Sequence, residues 1–301
     1  MAVVATGFFD GVHLGHRHLI ETLTDEAHKR DAQSLIVTFW PHPRNVLQNG
    51  ARELRLLTSQ QEKNDLLLSL GVDRVEVLDF TKEFSTLTME QYVRDVLIGR
   101  YGAECLVLGY DNRMGRDCRS AEDLLPVCAA AGLEVVRPGA VPCSRPDGGS
   151  PTVGAISSTL IRNALSEGRV DEAASMLGRP YRLHGVVVAG KQLGRRLGYP
   201  TANMQLYEPL KAIPSPGVYA VWAQTLGGRF KGMCNIGYRP TVDENAALTI
   251  ETHLLDFDED IYGLDLTIDF MARIRQERKF DSLEALSAQL GEDKRTVGRI
   301  L

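Results

Sequence analysis

The chain has 301 residues, of which 44% are apolar and 24% charged, a composition that is typical of soluble globular proteins and leaves room for two domains. Its formal net charge of −5 provides no broad basic surface, which argues against nucleic acid as a partner. Five cysteines without a Cys-x-x-Cys pair, no signal-peptide pattern and no apolar run of about 18 residues predict a cytoplasmic protein with free thiols and no membrane contact.

The first half of the chain alternates short apolar strands with helices. Residues 16–30 show helical spacing of apolar side chains, Thr58 and Gln61 form a capping-box pattern, and Thr88 and Gln91 form another. Strands are predicted in residues 1–9, 34–40, 72–80, 104–110 and 133–138. This alternation predicts a Rossmann-like parallel sheet covered by helices, in which ligands bind beyond the carboxyl ends of the strands.

The pattern changes in the second half. Pro, Gly and Ser accumulate in residues 142–152, which predicts an exposed loop, and two short helices follow. Beyond Arg179-Pro180 the apolar residues alternate with a period of two between frequent turns, and a last helix after Ser282 places Leu283, Leu286 and Leu290 on one face. We predict an α/β domain in residues 1–180 and a small antiparallel β-barrel with a terminal helix in residues 181–301.

The segment TGFFDGVHLGH, residues 6–16, lies where the first strand passes into the first helix. A helix start favours phosphate, and Gly11 and Gly15 allow close approach of the backbone. His13 and His16 can donate hydrogen bonds to phosphate oxygens as charge develops. A single histidine here would more often be a surface or capping residue, but the pair around a glycine favours phosphoryl or nucleotidyl transfer. P-loop and G-x-G-x-x-G patterns are absent from the sequence.

A second glycine-rich segment, GKQLGRRLGYPTAN, occupies residues 190–203. Thr201 and Asn203 are two residues apart on an extended segment, so they share a face and offer hard oxygen ligands suited to Mg²⁺. Without the preceding loop, Pro-Thr-Ala-Asn would be an ordinary turn into a strand. The loop is flexible and basic, as expected for contact with phosphates, and its predicted nucleotide-binding residues are Gly190, Lys191, Gly194, Arg195 and Gly198.

Residues 249–263, TIETHLLDFDEDIYG, contain a further candidate site. Alternation along the strand leaves Glu251 and His253 on the face opposite Ile250 and Thr252. An acidic side chain there can act as the general base for a hydroxyl that attacks a γ-phosphate. The competing interpretation is a solvated glutamate on the polar face of an edge strand.

These motifs together resemble the bacterial bifunctional riboflavin kinase/FAD synthetase family. GFFDGVHLGH resembles the H-x-G-H signature of nucleotidylyltransferases, and TFWPHP, ISSTLIR, LGRPY and the PTAN segment are similar to family elements in the same order. The resemblance extends over nearly the whole chain. It implies that the first domain converts FMN and ATP to FAD and pyrophosphate, and that the barrel converts riboflavin and ATP to FMN.

The resemblance also implies individual roles. His13 and His16 would hold the α-phosphate, Glu251 would be the kinase base, and Thr201 and Asn203 would bind Mg²⁺ and ATP. Further nucleotide-binding residues of the first domain would be Gly7, Phe8, Asp10, Gly11, Ser158, Thr159 and Arg162. Flavin-binding residues would be Asp111, Arg239 and Arg278. The chain departs from the family pattern over residues 109–115, where both usual aromatic residues are missing.

Two alternatives remain at this point. The first domain could transfer nucleotides to another small phosphate compound, or the protein could be a flavin-binding regulator that has lost turnover. The implied partners are riboflavin, FMN, FAD and ATP, with Mg²⁺ as cofactor, and the protein is expected to be a monomer or a weak homo-oligomer.

Overall fold

The computed structural model describes residues 1–47, 54–109, 114–143, 155–190, 194, 198–239 and 247–301. The chain divides into two compact units, Met1–Ser158 and Thr159–Leu301, which we call unit 1 and unit 2. The boundary predicted after residue 180 falls directly before Tyr181, the first residue of the barrel. The helices between residue 158 and the barrel belong by their contacts to unit 2.

Unit 1 contains the predicted parallel sheet. Its strand order is β3-β2-β1-β4-β5, and all neighbouring strands run parallel. Both faces of the central strand are buried, since Val4 belongs to one hydrophobic cluster and Val3 and Ala5 belong to the other. The strands are β1 (Ala2–Thr6), β2 (Gln33–Trp40), β3 (Arg74–Asp79), β4 (Ala103–Val107) and β5 (Glu134–Val136).

Helices connect these strands as the alternation predicts. The fourth helix begins with the predicted capping box of Thr88 and Gln91 and continues as a π-helix over Tyr92–Arg100, which the sequence does not predict. Short 3₁₀ turns occupy Phe84–Thr86 and Ala121–Asp123. The α-helices are α1 (Leu14–Lys29), α2 (Pro43–Leu47), α3 (Gln60–Ser69), α4 (Met89–Gln91) and α5 (Leu124–Ala130).

The capping box predicted from Thr58 and Gln61 is wrong by one residue. Ser59 caps α3, its hydroxyl accepting from the Glu62 backbone N–H while the Glu62 carboxylate accepts from the Ser59 N–H. The Thr58 hydroxyl has other partners, because it donates to the Asp10 carboxylate and accepts from the Gly11 N–H. Recruitment of Thr58 to the loop after β1 therefore moves the helix start by one position.

Unit 2 contains the predicted antiparallel barrel, which is closed in the order β10-β7-β6-β11-β8-β9. It is preceded by α6 (Ser158–Ser166), whose first residue still belongs to unit 1, and α7 (Val170–Leu177). The strands are β6 (Tyr181–Val188), β7 (Ala202–Leu206), β8 (Gly217–Thr225), β9 (Gly228–Arg239), β10 (Ala247–Leu254) and β11 (Asp265–Arg275).

The terminal helix α8 (Leu283–Ile300) is capped by the Ser282 hydroxyl, which accepts from the Ala285 N–H. Val297 packs with barrel residues Ala220 and Met233. Of the apolar face predicted for this helix, Leu283 remains half exposed. Throughout the described ranges, each helix is too short or too polar to cross a membrane.

Candidate active sites

The loop between β1 and α1 makes a tight turn. Phe9, Gly11 and Val12 all have positive φ values, of 56°, 82° and 38°. The Gly7 N–H donates to the Val37 carbonyl, which anchors the start of the loop to β2. The turn brings the chain from the buried sheet directly to His13, the residue that precedes α1.

His13 caps α1 through its ring. Its Nδ1 accepts a hydrogen bond from the His16 backbone N–H at 3.3 Å, so the neutral ring carries its proton on Nε2. The two imidazoles stack, with ring centroids 3.6 Å apart and planes inclined by 16°. A Cβ at Gly15 would lie only 3.2 Å from the His13 ring. Gly15 thus leaves room for the paired rings that the motif predicts.

His16 is kept neutral by its surroundings. Burial lowers its pKa well below the ordinary value of 6.5, and the neighbouring His13 and Lys63 lower it further. Its Nδ1 is buried and has no hydrogen-bond partner among the described residues. A neutral imidazole with an unsatisfied nitrogen at a helix start is suited to a ligand that supplies the missing hydrogen bond.

Asp10 has a different geometry from that expected of a group that contacts nucleotide. Its carboxylate is buried and accepts hydrogen bonds from the backbone N–H groups of Leu57 and Thr58 at 3.0 Å. Its backbone carbonyl accepts from the Ser158 hydroxyl at 2.9 Å. Asp10 therefore ties the loop to the segment before α3, and Ser158, the first residue of α6, is held beside the same loop.

The other predicted residues near α6 are more exposed. Thr159 is exposed and Arg162 half-buried on the first turns of this helix, in unit 2. Asp111 lies outside the described residues, as do residues 110–113 of the segment 109–115 that departs from the family pattern.

Unit 1 also contains an aromatic cavity of about 350 Å³ at the carboxyl ends of its strands. Gly115, with φ 84°, packs so tightly against α4 that a Cβ would lie 2.4 Å from the Met89 nitrogen. Sequence reasoning missed this cavity, although Phe39 and Phe80 lie at the carboxyl ends of predicted strands and could have indicated it. Its aromatic lining consists of Phe8, Phe39, Phe80, Phe84 and Tyr92.

In the barrel, Thr201, Asn203 and Glu251 come together as predicted. Glu251 on β10 is paired in register with Asn203 on β7, and the Thr201 hydroxyl donates to a Glu251 carboxylate oxygen at 3.3 Å. β10 also pairs with β9 along its length. The edge-strand interpretation of Glu251 is therefore wrong, because the closed barrel has a neighbour on both sides of β10.

The glycine-rich loop lies against this group. A Cβ at Gly190 would lie 2.2 Å from Asn203 Nδ2, and a Cβ at Gly194 would lie 2.2 Å from the Tyr199 carbonyl oxygen. Gly198 has φ 80°. Lys191 and Arg195 lie outside the described residues. The described glycines thus allow the loop backbone to pack directly on the predicted metal-binding side chain.

Two cavities of the barrel share Thr201. One, of about 340 Å³, is lined by Glu251, by Arg278 and by apolar residues of α8. The other, of about 470 Å³, includes Gly198 and the acidic segment Asp258–Asp260. Thr201 therefore stands where two ligands bound in neighbouring cavities would meet.

Sequence reasoning missed two polar contacts beside the first cavity. The His253 ring donates from Nδ1 to the Pro200 carbonyl at 2.8 Å, and burial lowers the pKa of His253. Arg275 forms a bidentate ion pair with the buried Asp293 of α8. Both contacts depend on pairing between distant segments, and no local pattern predicts them.

Arg239, one of the predicted flavin-binding residues, is the last residue of β9.

Both halves of the chain match known protein families. The FAD synthetase family model matches residues 1–144 and the riboflavin kinase family model matches residues 177–301. A bifunctional riboflavin kinase/FMN adenylyltransferase of Listeria monocytogenes is 37% identical over 97% of this chain and 90% of its own length, and that of Bacillus subtilis is 34% identical over 99% and 92%.

A solved structure gives the same result for the fold. The crystal structure of a Streptococcus pneumoniae protein, described as a macrolide-efflux protein, superposes with a TM-score of 0.86 at 31% identity, covering 98% of this chain and 93% of that one. With both halves matched in order, the chain belongs to the family of bifunctional riboflavin kinase/FMN adenylyltransferases.

Proposed function

We propose that the chain makes FAD from riboflavin in two ATP-dependent steps, with the kinase in the barrel and the adenylyltransferase in unit 1. The observation that carries the proposal is that each unit has its own group of polar side chains suited to a transfer step at phosphorus. In unit 1 this group is the stacked pair His13 and His16. In the barrel it is the hydrogen-bonded pair Thr201 and Glu251.

In adenylyl transfer, a phosphate oxygen of FMN attacks the α-phosphorus of ATP and pyrophosphate leaves. His13, with its proton on Nε2, and neutral His16 donate hydrogen bonds to the α-phosphate as negative charge accumulates on it. The unsatisfied Nδ1 of His16 supports a direct ligand contact. Ser158, which the hydrogen bond to the Asp10 carbonyl holds beside the same loop, contacts the outer phosphates, as a helix start can.

The flavin ring of FMN occupies the aromatic cavity of unit 1. Its volume of about 350 Å³ and its lining by Phe39, Phe80 and Phe84 suit a flat apolar ring system. The neighbouring Gly7 and Phe8 belong both to this lining and to the loop that leads to His13. Flavin and α-phosphate are thereby brought to one edge of the sheet.

In the kinase step, Glu251 removes the proton from the primary hydroxyl of riboflavin as its oxygen attacks the γ-phosphorus of ATP, and ADP leaves. Riboflavin binds in the cavity lined by Glu251 and Arg278, and ATP binds in the cavity lined by Gly198. This assignment is supported by the position of Thr201 between the two cavities. The attacking oxygen and the γ-phosphorus then approach each other in line.

Thr201 and Asn203 fit the role of Mg²⁺ ligands. Hydroxyl, amide and carboxylate oxygens are the hard donors that this ion prefers, and the Thr201 hydroxyl lies 3.3 Å from Glu251. When bound, the ion neutralises charge on the transferred phosphoryl group. The protein's own contribution is to hold these oxygens against the glycine loop, with Asn203 packed under Gly190.

The proposal is tested by incubating the full chain with riboflavin, ATP and Mg²⁺ and separating the flavins with time. We expect FMN to accumulate first and FAD afterwards, with ADP equal to the sum of FMN and FAD and pyrophosphate equal to FAD. Supplied FMN should give FAD without riboflavin. Flavin binding without release of ADP or pyrophosphate would contradict the proposal and favour a regulatory protein.

The remaining expectations belong to the same proposal. The protein acts on small molecules in the cytoplasm, without nucleic acid or membrane partners, as a monomer or weak homo-oligomer. Light scattering over a range of concentrations measures the last point directly.

A further inference from the structure

Lys63 on α3 is a buried charge that the proposed chemistry does not use. The residue is only 1% exposed, although lysine is almost never fully buried unless it is paired. Its Nζ donates to the Phe8 carbonyl at 3.1 Å and to the Thr38 hydroxyl at 3.0 Å, and lies 3.4 Å from the Phe39 carbonyl oxygen. The ammonium thus joins the loop after β1 to the end of β2.

The chemistry of the contact suits an ammonium group. Its three N–H donors are matched by three oxygen acceptors, and Nζ lies 4.1 Å from the centroid of the Phe8 ring, within cation–π distance. Burial nevertheless lowers the Lys63 pKa from 10.5 to about 8, with Asp10 acting in the opposite direction. A buried charge is a poor source of stability, which points to a reason other than folding for its presence.

The groups that Lys63 holds belong to the two halves of the adenylyl-transfer site. Phe8 and Phe39 line the aromatic cavity, and the chain from Phe8 leads through the turn to His13 and His16. The Thr38 hydroxyl also donates to the Phe8 carbonyl at 3.2 Å. Movement of the Phe8 carbonyl would therefore displace the flavin cavity and the imidazoles relative to each other.

We propose that Lys63 is a positioning residue for adenylyl transfer, whose ammonium keeps the loop over residues 7–16 aligned with the aromatic cavity so that the FMN phosphate meets the α-phosphorus in line. The inference rests on the function proposed for this loop. Lys63 acts through Phe8 and Phe39 and does not itself contact the substrate.

The first test replaces Lys63 by methionine, which has similar length but no charge and no donor. We expect kcat for FAD synthesis from FMN to fall about 10- to 10²-fold, the effect of a small misplacement of reacting groups. Riboflavin kinase activity of the same polypeptide should not change. The matched control is Lys29→Met, which removes a lysine with a 67% exposed side chain at the far end of α1 and should leave both activities unchanged.

Stability separates positioning from a structural role. The chain has two tryptophans, Trp40 in unit 1 and Trp222 in unit 2, so a Trp222→Phe background reports the unfolding of unit 1 alone. Because methionine removes the costly buried charge but also the donor to three oxygens, these opposing effects should leave the denaturant midpoint of unit 1 in Lys63→Met little changed. A fall in the midpoint that accounts for the lost activity would overturn the proposal.

The second test needs no substitution. Deprotonated Lys63 has two donors and a lone pair facing oxygens, so FAD synthesis should fall as the pH rises through about 8, while the kinase should not. Between about 8 and the unfolded pKa of 10.5, the unfolded chain binds more protons, so this lysine's contribution to stability rises with pH. The loss of activity is therefore not caused by its effect on unfolding.

The titratable groups that interact with Lys63 within the described chain do not explain a fall in FAD synthesis above a pH of about 8. They are Asp10 in the loop and His16 on α1, and His16 has its pKa displaced to lower pH, away from this window. An alkaline limb shared by both activities, or absent from both, would overturn the proposal.

The failure of this inference can be distinguished from failure of the proposed function. If Lys63→Met keeps full FAD synthesis while His13→Ala loses it, Lys63 has no positioning role and the function of the loop stands. If both variants keep full FAD synthesis, the function proposed for the loop is wrong as well.

Discussion

The two units differ in how the chain brings together the side chains proposed to act in phosphate chemistry. In unit 1 the side chains that would contact phosphate lie three residues apart, at the junction between a buried parallel strand and the first turn of α1. Hydrogen bonds of Asp10 and Lys63 connect the loop after that strand to α3 and the segment before it. In the barrel the proposed metal ligand Thr201 and the proposed base Glu251 are 50 residues apart in sequence and meet through strand pairing.

This difference follows from the architectures. A parallel sheet presents its ligands at the carboxyl ends of strands, so one strand-to-helix junction can supply a contiguous site. A closed antiparallel barrel assembles its site from the register of neighbouring strands. Substitutions that weaken the contacts of one loop should therefore disturb the site of unit 1. Substitutions that disturb the pairing of β7 with β10 should disturb the site of the barrel.

The largest expected effect separates the two sites by removing the kinase base. Glu251→Gln keeps the size of the side chain but cannot accept a proton, so riboflavin kinase activity should fall by about 10²- to 10⁴-fold. Conversion of supplied FMN to FAD by the same variant is the control and should remain at the wild-type rate. Loss of both activities would mean that the two sites are not independent.

The reciprocal variant is His13→Ala. It removes a helix cap and a hydrogen-bond donor to the α-phosphate, and we expect FAD synthesis to fall by about 10²- to 10³-fold, as for loss of one oxyanion donor. FMN formation from riboflavin should be unchanged. Full FAD synthesis by this variant would exclude the role given to His13.

Much of this contrast is predictable from sequence because periodicity and short motifs are local. The alternation of strands and helices predicts the parallel sheet, and residues 6–16 contain both imidazoles and the glycines around them. Thr201, Asn203 and Glu251 were also predicted, from two separate motifs. The hydrogen bond between Thr201 and Glu251, however, depends on the register in which β7 pairs with β10, and no single motif contains that register.

The features that sequence reasoning missed depend on long-range contacts. A lysine on a helix such as α3 ordinarily predicts a solvated side chain, and only the fold reveals that Lys63 points at the ends of β1 and β2. The spacing of Thr58 to Gln61 predicts a helix cap at Thr58. The buried Asp10 carboxylate recruits its hydroxyl instead.

A smaller effect is expected where the barrel site depends on close packing. Gly190→Ala places a methyl group 2.2 Å from Asn203 Nδ2, so the amide must move away from its proposed metal position. We expect riboflavin kinase activity to fall about tenfold, with a higher Mg²⁺ requirement, as for a modest displacement of a positioned group. FAD synthesis should not change.

Gly298→Ala is the matched control for this substitution. A Cβ at Gly298 meets no atom within 4 Å, and alanine is favoured over glycine inside a helix, so kinase activity should be retained. If Gly190→Ala were equally active at every Mg²⁺ concentration, Asn203 would not be a metal ligand that the loop holds in place.

The smallest effect concerns the start of α3, which supports the unit 1 loop without contacting substrate. Ser59→Ala removes the hydroxyl that accepts from the Glu62 N–H and should lower the free energy of unfolding of unit 1 by about 1 kcal/mol. Gln61→Ala, which changes an exposed side chain outside the capping box, should have little effect. Trp40 fluorescence in the Trp222→Phe background measures both values. A larger loss from Gln61→Ala than from Ser59→Ala would contradict the Ser59 cap and indicate that Thr58 caps α3. The Thr58 hydroxyl would then not bind the Asp10 carboxylate, and the unit 1 loop would lack one of its contacts with the start of α3.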